Sequence, residues 1–426
     1  MPLSRLPDWP DSKQPVLIHQ DQSLTAADVE QRLSAERRAL APLAGCRVAI
    51  GGADPVGLLL QLLASDGLLA AVYLLPETLW QQKVGQQLLK SGLVDALLDD
   101  RSTGEPNQTG RVDVQTPTET TYYLPTSGTT GEPRWHAHSR QSLNRNLRQA
   151  SPDHSAWRWA LLYDPCRFAG LQVVLQAIAG GGSMLLCQTE AADEQLRQIR
   201  QHGVDALSAT PTWWRRALML GGLKGHALRR ITLGGEATDQ ALLDALAHQF
   251  PDARIRHIYA STEAGVGFCV RDGRAGFPAE WLRSAPDQLA LDISEQGTLM
   301  LKPPGTEAFI DSGDLVQQDG DRLYFLGRAS GVINVAGHKV IPEAVERLIR
   351  RQPGVAEARV YGQRSSLAGQ LVVAEVVPAP GQDQQALHQS IQQACQQSLA
   401  REQRPAMIRM VQQLATNASG KLERNR

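Results

Sequence analysis

The sequence predicts an α/β fold in which a large domain precedes a smaller α+β domain. Strand–helix–strand patterns recur over residues 47–259, and this alternation favours parallel strand pairing. The pattern changes to β-α-β-α in the last part of the chain. The length of 426 residues suits two to three domains at roughly 100–200 residues each. We expect an N-terminal core at 1–328 and a C-terminal domain at 329–426.

Each strand–helix–strand pattern combines short apolar runs with a longer apolar segment of helical length. In the first of these patterns, the apolar run at 47–50 is followed by Gly51 and Gly52. In the first pattern the expected strand, helix and strand lie at 47–50, 55–65 and 70–75. In the second they lie at 159–163, 170–179 and 183–187, and in the third at 230–233, 239–249 and 256–259.

The small domain is expected to begin at the small-residue stretch Ala329-Ser330-Gly331, and Ser330 and Gly331 are the candidate hinge. Pro342 suits the first turn of a helix, because that position needs no amide hydrogen. A glutamine-rich helix at 383–400 is interpreted as a solvated surface with one apolar face. Strands are expected at 322–326, 358–361 and 371–377.

Charge, hydropathy, cysteine content and the N-terminal pattern argue against several classes of protein. The 43 basic and 44 acidic residues leave a net charge of −1, which disfavours nucleic-acid binding by general phosphate neutralisation. The apolar stretch 56–75 is interrupted by Gln61, Ser65 and Asp66, so we expect no membrane span. Five scattered cysteines without a CxxC pair indicate neither a zinc site nor a disulfide framework. With no signal-peptide pattern at the N-terminus, a cytoplasmic location is expected.

The strongest chemical motif is the segment 123–134, which reads Tyr-Leu-Pro-Thr-Ser-Gly-Thr-Thr-Gly-Glu-Pro-Arg. Its glycines let backbone amides approach a phosphate, its hydroxyls donate hydrogen bonds and its arginine supplies positive charge. A Ser/Thr/Gly-rich surface loop is the alternative, and the common G-x-x-x-x-G-K-[ST] nucleotide loop is absent. The candidate phosphate-binding residues are Thr126, Ser127, Gly128, Thr129, Thr130, Gly131 and Arg134.

This segment resembles the phosphate loop of the adenylate-forming superfamily, which includes acyl-CoA synthetases, adenylation domains of peptide synthetases and luciferases. The resemblance implies a large domain of α/β subdomains and a small domain that rotates about a hinge between two half-reactions. Further motifs similar to that family's follow in the same order: Thr210-Pro211-Thr212, Gly234-Gly235-Glu236, Tyr259-Ala260-Ser261-Thr262-Glu263, Ser312-Gly313-Asp314-Leu315, Gly327-Arg328 and Asn417-Ala418-Ser419-Gly420-Lys421.

The resemblance implies that a carboxylate attacks the α-phosphate of ATP, which yields acyl-AMP and pyrophosphate before a thiol captures the acyl group. Two anions meet in the first step, so electrostatic stabilisation and positioning should dominate. Lys421 is the expected cation, with a solvated terminal lysine as the alternative. Glu263 would bind Mg²⁺, which prefers oxygen ligands. Thr262 would contact the phosphate of AMP.

The same resemblance assigns residues to the nucleoside. Asp314 would accept hydrogen bonds from the ribose hydroxyls, because an ionised carboxylate is only an acceptor. Arg328 would also touch the ribose. Gly235 and Glu236 are expected on the adenine side of the site. Tyr259 would stack near adenine, with a core tyrosine as the alternative.

The acid pocket departs from the family pattern. Arg167 stands three residues before Gly170, where the family has a histidine, and would meet an anionic group of the substrate; a surface salt bridge is the alternative. Arg134 and Ser330 also replace the residues usual at their positions, and an Arg-for-Lys change alters geometry while keeping the charge. The expected pocket walls suit a flat aryl acid, and they are Phe168, Gly170, Gly234, Gly235, Ala260, Gly265 and Gly267.

Gly337 would line the passage of a pantetheine arm in the family's second conformation. We expect no carrier domain after Lys421, so the acceptor would be free CoA or the phosphopantetheine of a separate acyl carrier protein. The chain looks most like compact aryl- or acyl-acid ligases, such as o-succinylbenzoate–CoA ligases and aryl-acid carrier-protein ligases. A non-catalytic scaffold protein that binds nucleotide or acyl groups is one alternative, and an oxidising enzyme like the luciferases is another.

Overall fold

The computed structural model describes residues 14–99, 119–127, 133–145, 147, 157–188, 190–365 and 369–414. The chain divides into two compact units. The first comprises Met1–Ser208, His226–Ile231 and Ala260–Val266, and the second comprises Ala209–Gly225, Thr232–Tyr259 and Gly267–Arg426. The expected division into domains at 1–328 and 329–426 stays a prediction.

The described helices and strands alternate along most of the chain. The helices are α1 Ala26–Leu40, α2 Pro55–Ser65, α3 Glu77–Gln81, α4 Val84–Lys90, α5 Arg140–Asn144, α6 Phe168–Ala179, α7 Ala192–Gln201, α8 Pro211–Leu220, α9 Gln240–Gln249, α10 Pro342–Arg350 and α11 Gln384–Ser398. The strands are β1 Pro15–His19, β2 Gln22–Thr25, β3 Arg47–Gly51, β4 Ala71–Leu75, β5 Ala96–Asp99, β6 Thr121–Ser127, β7 Pro133–His138, β8 Arg158–Leu161, β9 Ser183–Leu186, β10 Ala206–Ala209, β11 Arg230–Gly234, β12 Arg254–Ser261, β13 Gly265–Val270, β14 Phe277–Pro278, β15 Ala290–Ile293, β16 Thr298–Lys302, β17 Ile310–Asp319, β18 Arg322–Arg328, β19 Ile333–Val335, β20 His338–Val340, β21 Val355–Ser365, β22 Gly369–Pro378 and β23 Met407–Met410.

Local sequence signals explain where several helices begin. Helix α2 starts at Pro55, and the Asp54 side chain accepts hydrogen bonds from the amides of Val56 and Gly57. Helix α6 begins at Phe168, two residues before its expected start near residue 170. Helix α10 begins at Pro342, as its sequence predicts.

Two sheets contain the parallel strands that the sequence predicts. One has the order β5-β3-β4-β6-β7, in which only the last pair is antiparallel. The other has eight strands in the order β13-β12-β11-β10-β8-β9-β1-β2. Within it, β8 is parallel to β9 and β10, and β1 is parallel to β9. The apolar helix α2 is buried along almost its whole length, which is expected where helices cover parallel sheets.

The two remaining sheets are mainly antiparallel. Strands β14-β18-β17-β16-β15 form one, and β20-β19-β22-β21 form the other, which β23 joins by pairing parallel to β22. Strand β21 is longer than its sequence suggested, because it pairs with β22 over most of both strands. The apolar face of α11 is buried through Leu387, Ile391 and Cys395, while its glutamines are exposed.

A buried ion pair lies inside this last sheet. Arg359 on β21 donates to the carboxylate of Glu375 on β22, and both side chains are almost fully buried. The Tyr361 hydroxyl donates to the other Glu375 oxygen at 3.2 Å. The carboxylate therefore has two buried partners on the neighbouring strand.

No helix among the described residues is both long and apolar enough to cross a bilayer.

Candidate active site

The strands on both sides of the candidate phosphate loop pair with each other. Thr126 on β6 lies opposite Arg134 on β7, and Ser127 lies opposite Pro133. The Arg134 side chain is exposed. The other four predicted loop residues lie outside the described residues, and these are Gly128, Thr129, Thr130 and Gly131.

His136 connects the start of the phosphate loop to the candidate magnesium ligand. Its Nε2 lies 3.1 Å from the Thr126 hydroxyl and 3.5 Å from Oε1 of Glu263. Thr126 and Glu263 are far apart in sequence but face the same imidazole. This histidine is not among the residues predicted from the sequence motifs. The signal was available, because alternate residues of a strand share a face and the strand carries Arg134, His136 and His138 at alternate positions.

His138, the second histidine of β7, contacts the backbone of Thr262. Its Nε2 lies 2.8 Å from the Thr262 carbonyl oxygen, and its Nδ1 lies 3.0 Å from the Ser142 hydroxyl. The side chain is buried, and burial lowers the pKa of this histidine. The His138 imidazole therefore links the Thr262–Glu263 turn to β7.

The predicted wall residue Phe168 is buried beside these groups. Its ring centroid lies 5.3 Å from that of His138. Gly265 has a φ of +75°, and a Cβ there would lie 3.7 Å from Cζ of Phe168. Phe168 therefore lies close to both His138 and Gly265.

Gly170 has a structural reason to lack a side chain. A Cβ at this position would lie 2.1 Å from the carbonyl oxygen of Asp164. Arg167, which precedes α6, donates from Nη1 to the Pro125 carbonyl at 3.2 Å. Its buried Nε has no hydrogen-bond partner, and no carboxylate of a described residue lies within ion-pair distance.

A second group of predicted residues surrounds Asp314. Its Oδ2 accepts from the Tyr259 hydroxyl at 2.6 Å, and its Oδ1 accepts from Nε of Arg328 at 3.0 Å. The Tyr259 ring stacks on Phe268 and Phe325, with centroids 5.2 and 4.8 Å away. Burial and the neighbouring Asp314 raise the pKa of Tyr259. These contacts favour the core role for Tyr259 that the sequence left open, and stacking on adenine stays a prediction.

Two motifs that are separate in the sequence meet at Glu236. Its Oε2 accepts from the Thr212 amide at 3.0 Å and from the Thr212 hydroxyl at 2.7 Å. The adjacent Gly235 has a φ of +84°, a conformation that favours glycine. Thr210 caps α8 by accepting from the Trp213 amide at 3.1 Å. The two bonds to Glu236 therefore join the start of α8 to the segment that follows β11.

The remaining predicted residues lie in strands and turns. Ala260 is on β12 and Gly267 is on β13, where a Cβ would lie 3.0 Å from Cδ2 of Leu301. The candidate hinge residues Ser330 and Gly331 belong to a short 3₁₀ helix at Ala329–Gly331.

The candidate thiol-tunnel residue Gly337 has a φ of +90° in the turn between β19 and β20. Its amide donates to Oδ1 of Asn334 at 2.9 Å. Lys421 lies outside the described residues.

The surroundings of Glu263 suit a magnesium ion that is bound mainly by phosphates and water, and not a metal ion held by protein side chains alone. The described residues contain no group of three or more His, Cys, Asp or Glu side chains placed to hold a metal ion. Proteins usually bind Mg²⁺ through one or two carboxylates together with substrate phosphates and water. The exposed carboxylate of Glu263, near the start of the phosphate loop, meets that requirement.

Two segments of the chain match known protein families. Residues 74–321 match the AMP-binding enzyme family, and residues 344–421 match the C-terminal domain of AMP-binding enzymes. The 2-succinylbenzoate–CoA ligase of Listeria innocua serovar 6a is 26% identical over 336 residues, which cover 71% of this chain and 68% of that protein. The enzyme of the same name from Bacillus subtilis strain 168 is 26% identical over 338 residues, or 70% of this chain and 67% of that protein.

Solved structures share the fold. The anthranilate CoA ligase AuaEII in complex with anthranoyl-AMP has a TM-score of 0.73 at 18% identity, covering 96% of this chain and 93% of that one. The o-succinylbenzoate CoA synthetase of Bacillus subtilis in complex with its acyl-adenylate intermediate has a TM-score of 0.67 at 20% identity. The match covers 96% of this chain and 94% of that one. The predicted α/β fold class and the predicted class of enzyme, an AMP-forming ligase, are confirmed. Since the family match spans more than half of the sequence, the chain belongs to the AMP-binding enzyme family.

Proposed function

We propose that this enzyme activates an aryl carboxylic acid with ATP and transfers the acyl group to the thiol of CoA. The observation that carries the proposal is the position of the Thr262–Glu263 turn, which lies beside Thr126 at the start of the phosphate loop. A turn in this position suits contact with the phosphates of a bound nucleotide. The family match supports the same chemistry.

In the first half-reaction, a carboxylate oxygen of the acid bonds to the α-phosphorus of ATP, and the bond from that phosphorus to the bridging oxygen of pyrophosphate breaks. Magnesium, when bound, supplies positive charge to the phosphates, and Glu263 would hold it. Thr262 would contact the phosphate that becomes part of AMP. Asp314 and Arg328 would bind the ribose, and Lys421 would offset the charge of the two reacting anions.

Three observations support an aryl acid as the substrate. Phe168 offers an aromatic wall, Gly265 leaves space opposite it, and Arg167 has a buried Nε without a partner among the described residues. We propose that Arg167 meets a second anionic group on the acid. The named relatives act on 2-succinylbenzoate, and one structural neighbour carries an anthranoyl group.

CoA is the acceptor that the names of the relatives favour, and the phosphopantetheine of a separate carrier protein is the second candidate. We place the reaction in the cytoplasm, where thiols are kept reduced. All five cysteines of this chain are free of disulfides, which agrees with that location.

Pyrophosphate release across a panel of aryl, fatty and dicarboxylic acids tests the proposal. We expect release that needs both ATP and Mg²⁺, with the highest kcat/KM for an aryl acid. Repeating the assay with CoA and with a loaded carrier protein identifies the acceptor. Nucleotide binding without pyrophosphate release for any acid would support the scaffold alternative, and oxygen consumption with the activated acid would support a luciferase-like reaction.

Replacing Asp314 with asparagine should raise the KM for ATP by about tenfold, since hydrogen bonds to a charged acceptor are worth roughly 1.5–3 kcal/mol. The asparagine keeps the shape but loses one acceptor oxygen, while Arg328 loses its ion pair. Tyr259→Phe is the matched control, because it removes a bond to Asp314 but keeps the carboxylate. An unchanged KM for ATP in the asparagine variant would exclude Asp314 from nucleotide binding.

A further inference from the structure

The partner of Nε2 determines which tautomer a neutral His138 adopts. The Thr262 carbonyl can only accept a hydrogen bond, so Nε2 of His138 must carry the proton. In a neutral imidazole, Nδ1 is then an acceptor, and the Ser142 hydroxyl at 3.0 Å donates to it. Both ring nitrogens are satisfied in this one tautomer. The ring is therefore held in one orientation on β7.

The Thr262 carbonyl lies in the turn between β12 and β13. Within the turn, the Ser261 hydroxyl accepts from the Ala264 amide at 3.0 Å. The bond from His138 joins residues 124 positions apart in sequence. It fixes the peptide between Thr262 and Glu263, and the Glu263 side chain is 42% exposed. The orientation of the Glu263 carboxylate thus depends on a peptide whose carbonyl is hydrogen-bonded to His138 on β7.

We propose that His138 is a positioning residue that sets the Thr262–Glu263 peptide in its nucleotide-binding orientation. The inference rests on the proposed function, because it assumes that this turn meets the magnesium and the phosphates. In this role His138 would act through the peptide and not on the reacting atoms. Its contribution is to order the peptide before the nucleotide arrives, which reduces the ordering that binding would otherwise require.

The matched variants are His138→Ala, His138→Gln and His226→Ala. The glutamine amide can donate to the Thr262 carbonyl as the imidazole does, whereas alanine cannot. His226 is the control, because its Nε2 also bonds a backbone carbonyl, that of Val204, within the same unit. For each variant we would measure the binding of ATP with Mg²⁺ by calorimetry, the thermal unfolding midpoint, and the KM and kcat of pyrophosphate release.

We expect His138→Ala to weaken the binding of ATP with Mg²⁺ by about tenfold, the effect of losing one buried hydrogen bond. His138→Gln should recover most of that loss. His226→Ala should lower the unfolding midpoint but leave nucleotide binding unchanged. Ser142→Ala should act in the same direction as His138→Ala with a smaller effect, because only the partner of Nδ1 is removed.

A folded His138→Ala protein with unchanged nucleotide affinity would overturn the proposal. Equal losses in the alanine and glutamine variants would also overturn it, because the ring contact with Phe168 would then explain the effect. If the alanine variant does not fold, the comparison of His138→Gln with Ser142→Ala gives the same test. Calorimetry tests the role of His138 separately from the proposed function. If the enzyme released no pyrophosphate with any acid, the proposed function would fail, but the effect of His138 substitutions on nucleotide affinity could still be measured.

Discussion

Replacing Lys421 with alanine should abolish acyl-AMP formation and leave thioester formation from supplied acyl-AMP largely intact. The resemblance of Asn417–Lys421 to the family's C-terminal motif assigns this lysine to the first half-reaction. A cation placed between two reacting anions stabilises the charge that develops between them, and losing one such group lowers kcat by about 10²–10³-fold or more. Pyrophosphate release and the consumption of supplied acyl-AMP measure the two half-reactions separately.

Lys90→Ala is the control for that experiment. Lys90 is an exposed lysine at the end of α4 with no role in the proposed chemistry, so its loss should leave both half-reactions near their normal rates. Near-normal pyrophosphate release by the Lys421→Ala enzyme would contradict the assignment of this lysine. Equal loss of both half-reactions would indicate a general defect of the C-terminal region instead.

Replacing Glu375 with alanine should destabilise the protein strongly. The variant leaves the Arg359 guanidinium buried without its carboxylate partner and removes the acceptor of the Tyr361 hydroxyl. Breaking a buried ion pair from one side lowers the free energy of unfolding by about 3–5 kcal/mol, because the remaining charge is uncompensated. Urea unfolding of the wild type and the variant measures the difference.

Asp321→Ala provides the matched comparison, since Asp321 pairs with Arg274 at 2.8 Å on the surface. Solvent and salt screen such exposed pairs, so little change in urea midpoint is expected. The double substitution Arg359→Met with Glu375→Leu should recover most of the lost stability, because apolar residues of similar volume can replace a buried pair. A Glu375→Ala protein as stable as the wild type would show that the pair is not required.

The sequence alone determined the fold class, the order of the main elements and the family. Helix α2 begins and ends where its apolar segment predicts, at Pro55 and Ser65, because the pattern of apolar residues along a helix is a local property. The motifs were recognisable for a similar reason, since each chemical role needs particular residue types at fixed spacing. The class of enzyme could therefore be predicted before any contact was known.

The tertiary structure alone decided which distant residues meet. The contacts of His136 with Glu263 and of His138 with Thr262 each join residues more than 120 positions apart, and no local pattern encodes such a pairing. The sequence likewise leaves open whether Tyr259 is a core tyrosine, whereas in the structure its ring stacks on Phe268 and Phe325. Periodicity places a side chain on a face of its strand, but the packing of strands and turns selects its partner.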